Sequence, residues 1–334
     1  MKSLVKLPVL IWIFISLIVY ASVLISPLIF QYSGVISFGI PFILLLNLVL
    51  LILSLVFKSK LGWIALLLLV CGWPFVNVAV SINGNNDLTQ DGIKVLNYNV
   101  KWFVDAKANE YNDVIDWIAE VDADILCFQE FYPRRNIAER IAGNNKYNIS
   151  IDAQRSNVAI FSRYPVLNEG LLLDESSFNN IRFADLLIDE DTIRVYAVHL
   201  ESMGIDPNKI QDREGIQNEY DDVKSRFLTA STSRTMQINT LIRHVERTTY
   251  PVIIAGDFND VPFSYNYFEF RKRFSNAFEE EGRGLGITFN HKIPFLRIDN
   301  QFFSKQFKLR AFKTMGNIYY SDHFPLAGIY ELSD

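Results

Sequence analysis

Polar side chains that can bind a cation or move a proton stand where apolar runs of this chain end. Asn99 closes Val-Leu-Asn-Tyr-Asn, Glu130 closes Asp-Ile-Leu-Cys-Phe-Gln-Glu, and His199 closes Val-Tyr-Ala-Val-His. Carboxylate and amide oxygens are ligands that Mg²⁺ and Mn²⁺ prefer, and imidazoles change charge near neutral pH. The other groups at such borders are Asp257, Asn259, Asp299, Asp322 and His323. If the runs form neighbouring strands, these side chains converge on one rim.

The elements that position these groups are predicted from the spacing of apolar residues. Runs rich in β-branched and aromatic residues predict strands at 94–99, 124–129, 158–162, 181–188, 193–199, 252–255, 296–303, 308–312 and 326–330. Helical spacing predicts helices at 111–121 and 222–247. Since these are more strands than one sheet usually holds, residues 93–334 are predicted to fold as an α/β sandwich, with two packed, mainly antiparallel sheets and helices outside.

The first 80 residues have the composition of a membrane segment. They contain no Asp or Glu, and nearly unbroken apolar runs lie at 8–30, 35–57 and 61–80. Each run is near or above the roughly 20 residues that cross the hydrocarbon of a bilayer as a helix. None has the polar face of a soluble helix, and a signal peptide would carry a single shorter run. We therefore predict three transmembrane helices, with the lipid bilayer as a partner.

Lysine placement predicts the orientation of this segment. Lys2 and Lys6 precede the first run, and Lys58 and Lys60 separate the second run from the third. Because cytoplasmic loops are enriched in basic residues, three crossings would place the rest of the chain on the extracytoplasmic side, periplasmic or external in a bacterium. Residues 81–92, rich in Asn, Asp and Gly, predict a flexible linker to the domain at 93–334.

The part of the chain beyond the membrane segment is acidic. All 37 Asp and Glu follow residue 80, whereas the whole chain has only 32 Lys and Arg. An acidic domain is poorly suited to a nonspecific grip on duplex nucleic acid, although a local basic groove stays possible.

An ordered set of motifs resembles the endonuclease/exonuclease/phosphatase superfamily over residues 93–331. The motifs are Tyr-Asn99, Gln-Glu130, Ser-Asn157-Val-Ala-Ile, Val-His199-Leu, Gly-Asp257-Phe-Asn259, Arg-Ile-Asp299 and Ser-Asp322-His323. Each is weak alone because Gly, Asp and Asn favour turns in any protein, but their order is specific. The superfamily includes deoxyribonucleases, inositol polyphosphate 5-phosphatases and neutral sphingomyelinases, and the resemblance implies a four-layered α/β sandwich.

The resemblance also implies roles for single residues. Glu130 would be the principal carboxylate ligand of Mg²⁺ or Mn²⁺, with Asn99 beside it and Asp322 as a further ligand. Asp257 would deprotonate the attacking water, and Asn259 would donate a hydrogen bond to the charge that develops on phosphorus. The remaining implied catalytic groups are His323, oriented by Asp299, and His199, both facing the phosphate.

Two candidate substrate contacts complete the predicted site. Asn157 belongs to one of the matching motifs, and Lys101 stands where repair nucleases of the superfamily carry an acidic residue. Lys101 either meets a substrate phosphate or points to solvent, and the second alternative is favoured. A histidine at position 199 makes an abasic-site endonuclease less fitting, because that branch of the superfamily typically lacks one.

The sequence as a whole predicts a membrane-anchored, divalent-metal-dependent hydrolase of phosphate esters. Its substrate is open among lipid headgroups, extracellular nucleic acid and small phosphodiesters, with membrane attachment favouring lipid. An extracytoplasmic nuclease is one alternative, and a catalytically silent binding or scaffold domain is another. Retention of Glu130, Asp257, Asp322 and His323 disfavours the silent domain, and no protein partner can be inferred.

Overall fold

The structure is a computed structural model of the 334-residue chain. It describes residues 6–82, 84–103, 110–131, 135–143, 146–151, 157–174, 177–204, 213–290 and 296–333.

The first sheet contains strands in the order β11-β12-β1-β2-β4-β3. The strands are β1 (Ile93–Asn99), β2 (Ile125–Gln129), β3 (Asn148–Ser150), β4 (Ala159–Ser162), β11 (Phe307–Thr314) and β12 (Leu326–Leu332). β1 and β2 run parallel, and every other neighbouring pair is antiparallel. The helix α6 (Glu110–Val121) lies between the two parallel strands along the chain, as a parallel pair requires a crossover.

The second sheet repeats this plan, with strands in the order β5-β6-β7-β8-β10-β9. The strands are β5 (Val166–Leu171), β6 (Ile181–Ile188), β7 (Asp191–His199), β8 (Val252–Asp257), β9 (Ser275–Asn276) and β10 (Asp299–Phe303). Again a single pair, β7 and β8, is parallel, and the long helix α8 (Arg213–Val245) connects it. The other neighbouring pairs are antiparallel.

The two sheets pack face to face, and helices cover their outer sides. Val95 and Ile125 of the first sheet share one buried cluster with Val195 and Ile253 of the second. A second cluster lies under α6 and α7 (Arg135–Ala142), and a third lies under α8 and α9 (Tyr265–Arg271). β1, β2 and β8 are apolar on both faces because each face is covered. The predicted α/β sandwich is confirmed.

The membrane segment differs in detail from its prediction. Two stretches are long and apolar enough to cross a membrane, Lys6–Leu24 with mean hydropathy 2.5 and Ser33–Val56 with mean hydropathy 2.7. They contain the helices α1 (Lys6–Ala21), α2 (Ser33–Ser37) and α3 (Ile40–Val56). The predicted run 8–30 is therefore too long by several residues, since its end contains Pro27 and forms turns.

The third predicted span is bent rather than straight. α4 (Gly62–Cys71) and α5 (Trp73–Ala79) meet at 55°, so this pair counts as a third crossing only if it is one broken span. Pro74 in the first turn of α5 lacks an N–H group and cannot continue the helix before it. Gly72 lies against Leu44 and Tyr20 so closely that a Cβ would be 2.6 Å and 2.8 Å from their atoms.

The last helix of the apolar segment, α5, packs into the sandwich. Val78 of α5 belongs to the buried cluster under α8, and the Phe75 ring lies 5.6 Å from that of Phe268 in α9. Ser81 and Gly284 exchange backbone hydrogen bonds. Asn85 accepts Phe312 N–H with its backbone carbonyl and donates to Arg310 O with its side chain. These contacts tie down a connection whose composition had predicted flexibility.

A second contact joins α2 and its C-cap residue Phe38 to the long helix α8. The Phe38 and Phe227 rings are 5.2 Å apart, and a Cβ on Gly34 would lie 2.7 Å from the Ser231 hydroxyl. The beginning of the second apolar stretch therefore lies at the end of the apolar helices that faces the sandwich.

Candidate active site

The predicted residues meet where the parallel strands of both sheets end. Asn99 ends β1 and Glu130 follows β2, while His199 and Asp257 are paired at the ends of β7 and β8. The Asn99 amide bridges the two sheets, because its Nδ2 donates to Asp257 Oδ2 at 3.1 Å and to Glu130 Oε1 at 3.3 Å. Asp299 faces Asp257 across the β8–β10 ladder. The expected convergence on one rim is therefore present.

Asp257, Asp299 and His323 form a buried cluster at this rim. His323 Nδ1 is 2.8 Å from Asp299 Oδ2, and its Nε2 is 3.8 Å from Asp257 Oδ2. Burial alone lowers the pKa of His323, but the two carboxylates outweigh burial and raise it to about 10. The imidazole is therefore a cation at neutral pH, with Asp299 fixing the orientation of its ring.

Asp257 has an unusually weakly acidic carboxyl group for an aspartate. Burial first and the Asp299 carboxylate second raise the pKa of Asp257 to about 7, despite the opposing charge of His323. The backbone N–H of Asn259 donates to its Oδ1 at 2.8 Å. A carboxyl group that titrates near neutral pH is suited to accept a proton during a reaction.

His199 presents an unsatisfied buried nitrogen to the same space. The Asn157 amide lies 3.0 Å from its Nδ1 and donates to it, so the neutral ring carries its proton on Nε2. Burial and the charge of His323 lower the pKa of His199 to about 3, which keeps the ring neutral. Among the described residues Nε2 has no hydrogen-bond partner, and it lies 3.8 Å from Glu130 Oε1 and 3.9 Å from Asp257 Oδ2. A ligand oxygen between these groups would satisfy it.

Asn157 lies behind His199 rather than at the surface of the site. Its side chain is buried, and its amide nitrogen is directed to the histidine ring. In this structure the side-chain nitrogen of Asn157 contacts another site residue, and its predicted contact with substrate stays a prediction.

Asn259 is likewise engaged with the protein. Its Nδ2 donates to Leu200 O at 2.9 Å, and its backbone has a φ of 49°, which asparagine tolerates better than most residues. The amide that was predicted to donate to the phosphoryl group is therefore occupied in this structure.

Lys101, predicted to meet a substrate phosphate or to point to solvent, is paired with an acidic residue of the site in this structure. Its ammonium forms an ion pair with Asp322 Oδ2 at 2.9 Å. The chain reaches this geometry through consecutive left-handed residues, Lys101 (φ 43°), Trp102 (φ 57°) and Phe103 (φ 54°). Such backbone costs about 1–2 kcal/mol per residue without glycine, and unfavourable backbone of this kind clusters at functional sites. The Trp102 N–H donates to Glu130 O at 2.8 Å and joins this turn to Glu130.

Two sets of residues could hold a cation. Ligand atoms of Asp257, Asp299 and His323 lie within 4.8 Å of one another, but the Asp299–His323 hydrogen bond already uses one atom of each. Glu130, Asn99 and Asp322 offer only oxygens and amides, the set that fits Mg²⁺ or Mn²⁺. The side chain of Glu130 is 24% exposed, so it can be reached from solvent. Burial raises the pKa of Glu130, against the opposing effects of the Asn99 hydrogen bond and of the His323 and Lys101 charges.

Aromatic residues that the sequence did not single out border the site. Phe289 packs on His323 with ring centroids 5.1 Å apart, and Phe178 lies 5.2 Å from Trp102 and 6.5 Å from His199. Phe178 is 58% exposed. Neither residue belongs to a motif, so only the fold reveals it.

Arg234 on α8 is interior despite its charge. It is 1% exposed and donates to Glu201 O at 2.9 Å, next to the loop that follows His199. It therefore supports that loop from behind, outside the group of residues that meet at the rim.

Sequence and structure comparisons agree with this geometry. A family model described as "Endonuclease/Exonuclease/phosphatase family" matches residues 96–323, and one described as "Domain of unknown function (DUF8431)" matches residues 2–79. The comparison with curated proteins found no match.

Solved structures share the fold at low identity. The human Nocturnin catalytic domain with bound sulfate superposes with a TM-score of 0.55 and 18% identity, covering 72% of this chain and 94% of that one. D. rerio TDP2 with a single-strand DNA product gives 0.53 and 16%, covering 72% and 100%. A Bacteroides thetaiotaomicron mannosyl-6-phosphatase gives 0.52 and 17%, also covering 72% and 100%. At such identities the likeness shows the fold alone.

Proposed function

The chain belongs to the endonuclease/exonuclease/phosphatase family, and from this premise we propose that it is a divalent-metal-dependent phosphoric ester hydrolase in which Asp257 activates water. Members of this family are hydrolases of phosphate esters. One observation carries the proposal for this chain: Asp257, cationic His323 and the unsatisfied Nε2 of His199 all border the same space beside Glu130.

The oxygen ligands for a metal would be Glu130, Asn99 and Asp322. Enzymes of the family generally use divalent metals, and a bound Mg²⁺ or Mn²⁺ would neutralise charge on the phosphoryl oxygens. The Asn99 amide nitrogen donates to Glu130 and Asp257, and its Oδ1 accepts the backbone N–H of Lys101 at 3.1 Å. Offering its oxygen to a metal would require a half-turn of the amide, which breaks the hydrogen bond from Lys101.

The residues of the chain supply the proton chemistry. Asp257 accepts a proton from the attacking water, because its raised pKa lies close to neutral pH. His199 donates from Nε2 to a phosphoryl oxygen, and Asn157 keeps its ring in the required tautomer. His323 supplies a positive charge next to the base, and Asp299 keeps it protonated.

The silent scaffold is the weaker alternative for this site. A domain that had lost turnover would have no need to keep Asp257 ionisable near pH 7 or to leave a buried nitrogen of His199 unsatisfied. A nuclease remains within the proposed chemistry, but the acidic composition beyond residue 80 does not favour it.

We also propose that the sandwich is anchored to a bilayer on its extracytoplasmic side. Two stretches long enough to span, and a third bent pair, precede it. The domain division that goes with this proposal is a membrane segment over 1–80, a connection over 81–92 and a catalytic domain over 93–334.

The test is hydrolysis by the full chain in detergent, with bis-p-nitrophenyl phosphate, plasmid DNA, phosphoinositides and sphingomyelin as substrates. We expect turnover with Mg²⁺ or Mn²⁺ that EDTA abolishes. Asp257→Asn should lower kcat by about 10²–10⁴-fold, the usual contribution of a general base. Asp189→Asn is the matched control, because Asp189 is an exposed turn residue with a φ of 53° that asparagine accepts.

Turnover that survives both EDTA and Asp257→Asn would remove the proposed mechanism. Absence of turnover on every substrate would favour the silent domain.

A further inference from the structure

An apolar groove lies between the membrane helices and reaches the sandwich. It has a volume of about 1020 Å³, and α3, α4 and α5 form its walls, with Leu45, Leu66 and Trp73 among the lining residues. At its other end it is lined by Phe263 and Leu285, which belong to the sandwich. Sites for drug-sized ligands measure about 300–1,000 Å³, so this groove can hold a long or branched apolar molecule.

The groove has no polar group to fix a polar ligand. Every residue that lines it is apolar, and its walls belong to the helices predicted to lie in hydrocarbon. Molecules already present at that depth are the acyl chains of bilayer lipids. The groove is therefore suited to an acyl chain, which the surrounding bilayer supplies.

The sandwich end of the groove leads to the active site along two short segments of chain. Phe263 is four residues after Asn259, and Leu285 is four residues before Phe289, whose ring packs on His323. Four residues of chain span at most about 14 Å. One lipid molecule spans a leaflet of about 20 Å, half of a bilayer that measures 40–45 Å with its headgroups. The distance from the sandwich end of the groove to the site is thus shorter than one lipid molecule, so an acyl chain in the groove and a phosphate at the site can belong to the same lipid.

The mouth of the groove also has the composition of a membrane interface. Ile82, just beyond α5, is 80% exposed, which is costly in water but favourable in lipid. Arg283, two residues before Leu285, is exposed and donates through Nε to Gly84 O. A guanidinium beside an apolar groove is suited to the anionic headgroups of neighbouring lipids at the bilayer surface.

We propose that this groove binds an acyl chain of a bilayer lipid and that the phosphate ester of the same lipid is the substrate at the Asp257–His323 site. This inference rests on the proposed function and names its substrate class. Two backbone segments, 259–263 and 285–289, connect the groove to the site, because each has one end at the groove and the other end at the site.

The test uses the full chain in nanodiscs of dioleoyl phosphatidylcholine, phosphatidylglycerol, phosphatidylethanolamine and sphingomyelin in equal parts, with Mg²⁺. Headgroup release from these lipids is compared with hydrolysis of bis-p-nitrophenyl phosphate by the same preparation. Leu45→Trp fills the groove from α3, whereas Leu46→Trp places the same ring at the same depth on a face outside the groove.

We expect Leu45→Trp to lower the ratio of lipid to soluble-diester turnover by roughly tenfold. The indole would keep about two methylene groups of the acyl chain out of the groove, and losing their burial weakens binding by about this factor. Leu46→Trp should leave the ratio unchanged. An equal ratio in both variants would overturn the groove as the lipid site. Loss of a dimer in Leu45→Trp at an unchanged ratio would mean that a second copy of the chain occupies the groove.

The outcome also separates the inference from the proposed function. Hydrolysis of the soluble diester without any lipid turnover would reject the lipid substrate and leave the hydrolase in place. Failure on both substrates would reject the proposed function, and the inference with it.

Discussion

Asp257 is the residue whose chemistry depends most on its surroundings. Its carboxyl group lies among Asn99, Asp299 and His323, and burial with the Asp299 charge raises its pKa to about 7. An aspartate in water would titrate about three units lower. Its surroundings therefore bring the pKa of this carboxyl group towards the pH range in which a general base is effective.

We expect hydrolysis of a soluble diester to fall as the pH is lowered through about 7. Below that pH Asp257 is protonated and cannot accept a proton, whereas His323, with its pKa raised to about 10, stays cationic throughout. The measurement is kcat/KM of the full chain at saturating Mg²⁺ between pH 5 and 8.5. A flat profile down to pH 5 would mean that Asp257 is not the base.

Lys101 could act in two ways at this site. It could compete with the metal for Asp322, or it could hold Asp322 in position to bind the metal. Its ammonium is paired with Asp322, one of the proposed ligands. We expect Lys101→Met to tighten Mn²⁺ binding roughly two- to fivefold, since a partly exposed ion pair contributes about 0.2–1 kcal/mol. Isothermal titration with Mn²⁺ measures this without turnover, and Lys101→Arg, which keeps the charge, is the control. Weaker binding in Lys101→Met would show that Lys101 positions Asp322 instead.

At the scale of elements, Arg297 connects the last membrane helix to the strand that carries Asp299. Its Nη2 donates to Val78 O at 2.5 Å and to the Tyr267 hydroxyl at 3.2 Å, and its guanidinium lies 4.0 Å from the Phe278 ring centroid. A cation at the last carbonyls of α5 also complements the end of that helix. Its Nε and Nη1 are buried and lack a hydrogen-bond partner among the described residues. Burial of the guanidinium lowers the pKa of Arg297.

We expect Arg297→Met to lower the free energy of unfolding of the full chain by about 1–3 kcal/mol, because Val78 O would be left buried without its donor. Thermal unfolding in one detergent measures this against the wild-type chain. Lys308→Met, a substitution at an exposed strand position, is the control. An unchanged midpoint would mean that Arg297 does not hold α5 in place.

Elements with strong apolar patterns could be predicted from the sequence, and weak ones could not. The strand at Ile181–Ile188 is confirmed residue for residue. β5 was missed because Asn, Glu and Gly interrupt its pattern on an exposed edge of the sheet. α8 begins nine residues before its prediction, since its first turns are polar and show no helical period.

The same limit applies to the site. Residues at strand ends were found because strands were predictable, and they do converge. The pairs Asn157–His199 and Lys101–Asp322 depend on loop backbone, including a left-handed turn that contains no glycine to announce it. Their partners could be read only from the fold.

At the scale of the whole molecule, the lysines lie at the opposite end of the membrane helices from the sandwich. Gly34 of α2 and Phe38 at its end pack on α8, and α3 leads away from them to Lys58 and Lys60. Its 17 residues measure about 25 Å, close to the thickness of hydrocarbon. Basic residues on one side and the sandwich on the other agree with an extracytoplasmic site.

We expect a reporter that is active only outside the cytoplasm to be active when fused after Asp334. The same reporter fused after Ser59, in the lysine-bearing loop, should be silent. Activity of both fusions would contradict three crossings, and the reverse pattern would place the sandwich in the cytoplasm.

The hydrogen-bonded connection after α5 also limits where the active site can obtain its substrate. Ser81 is bonded to Gly284, and five residues further on Phe289 is paired with His323, so the site is held close to the end of α5. With the proposed bilayer anchor and lipid substrate, a site held in this way would draw its substrate from the leaflet that it faces and from no other. In sealed vesicles that carry the protein on one side, lipid consumption would stop at the share of that leaflet unless lipids flip across the bilayer.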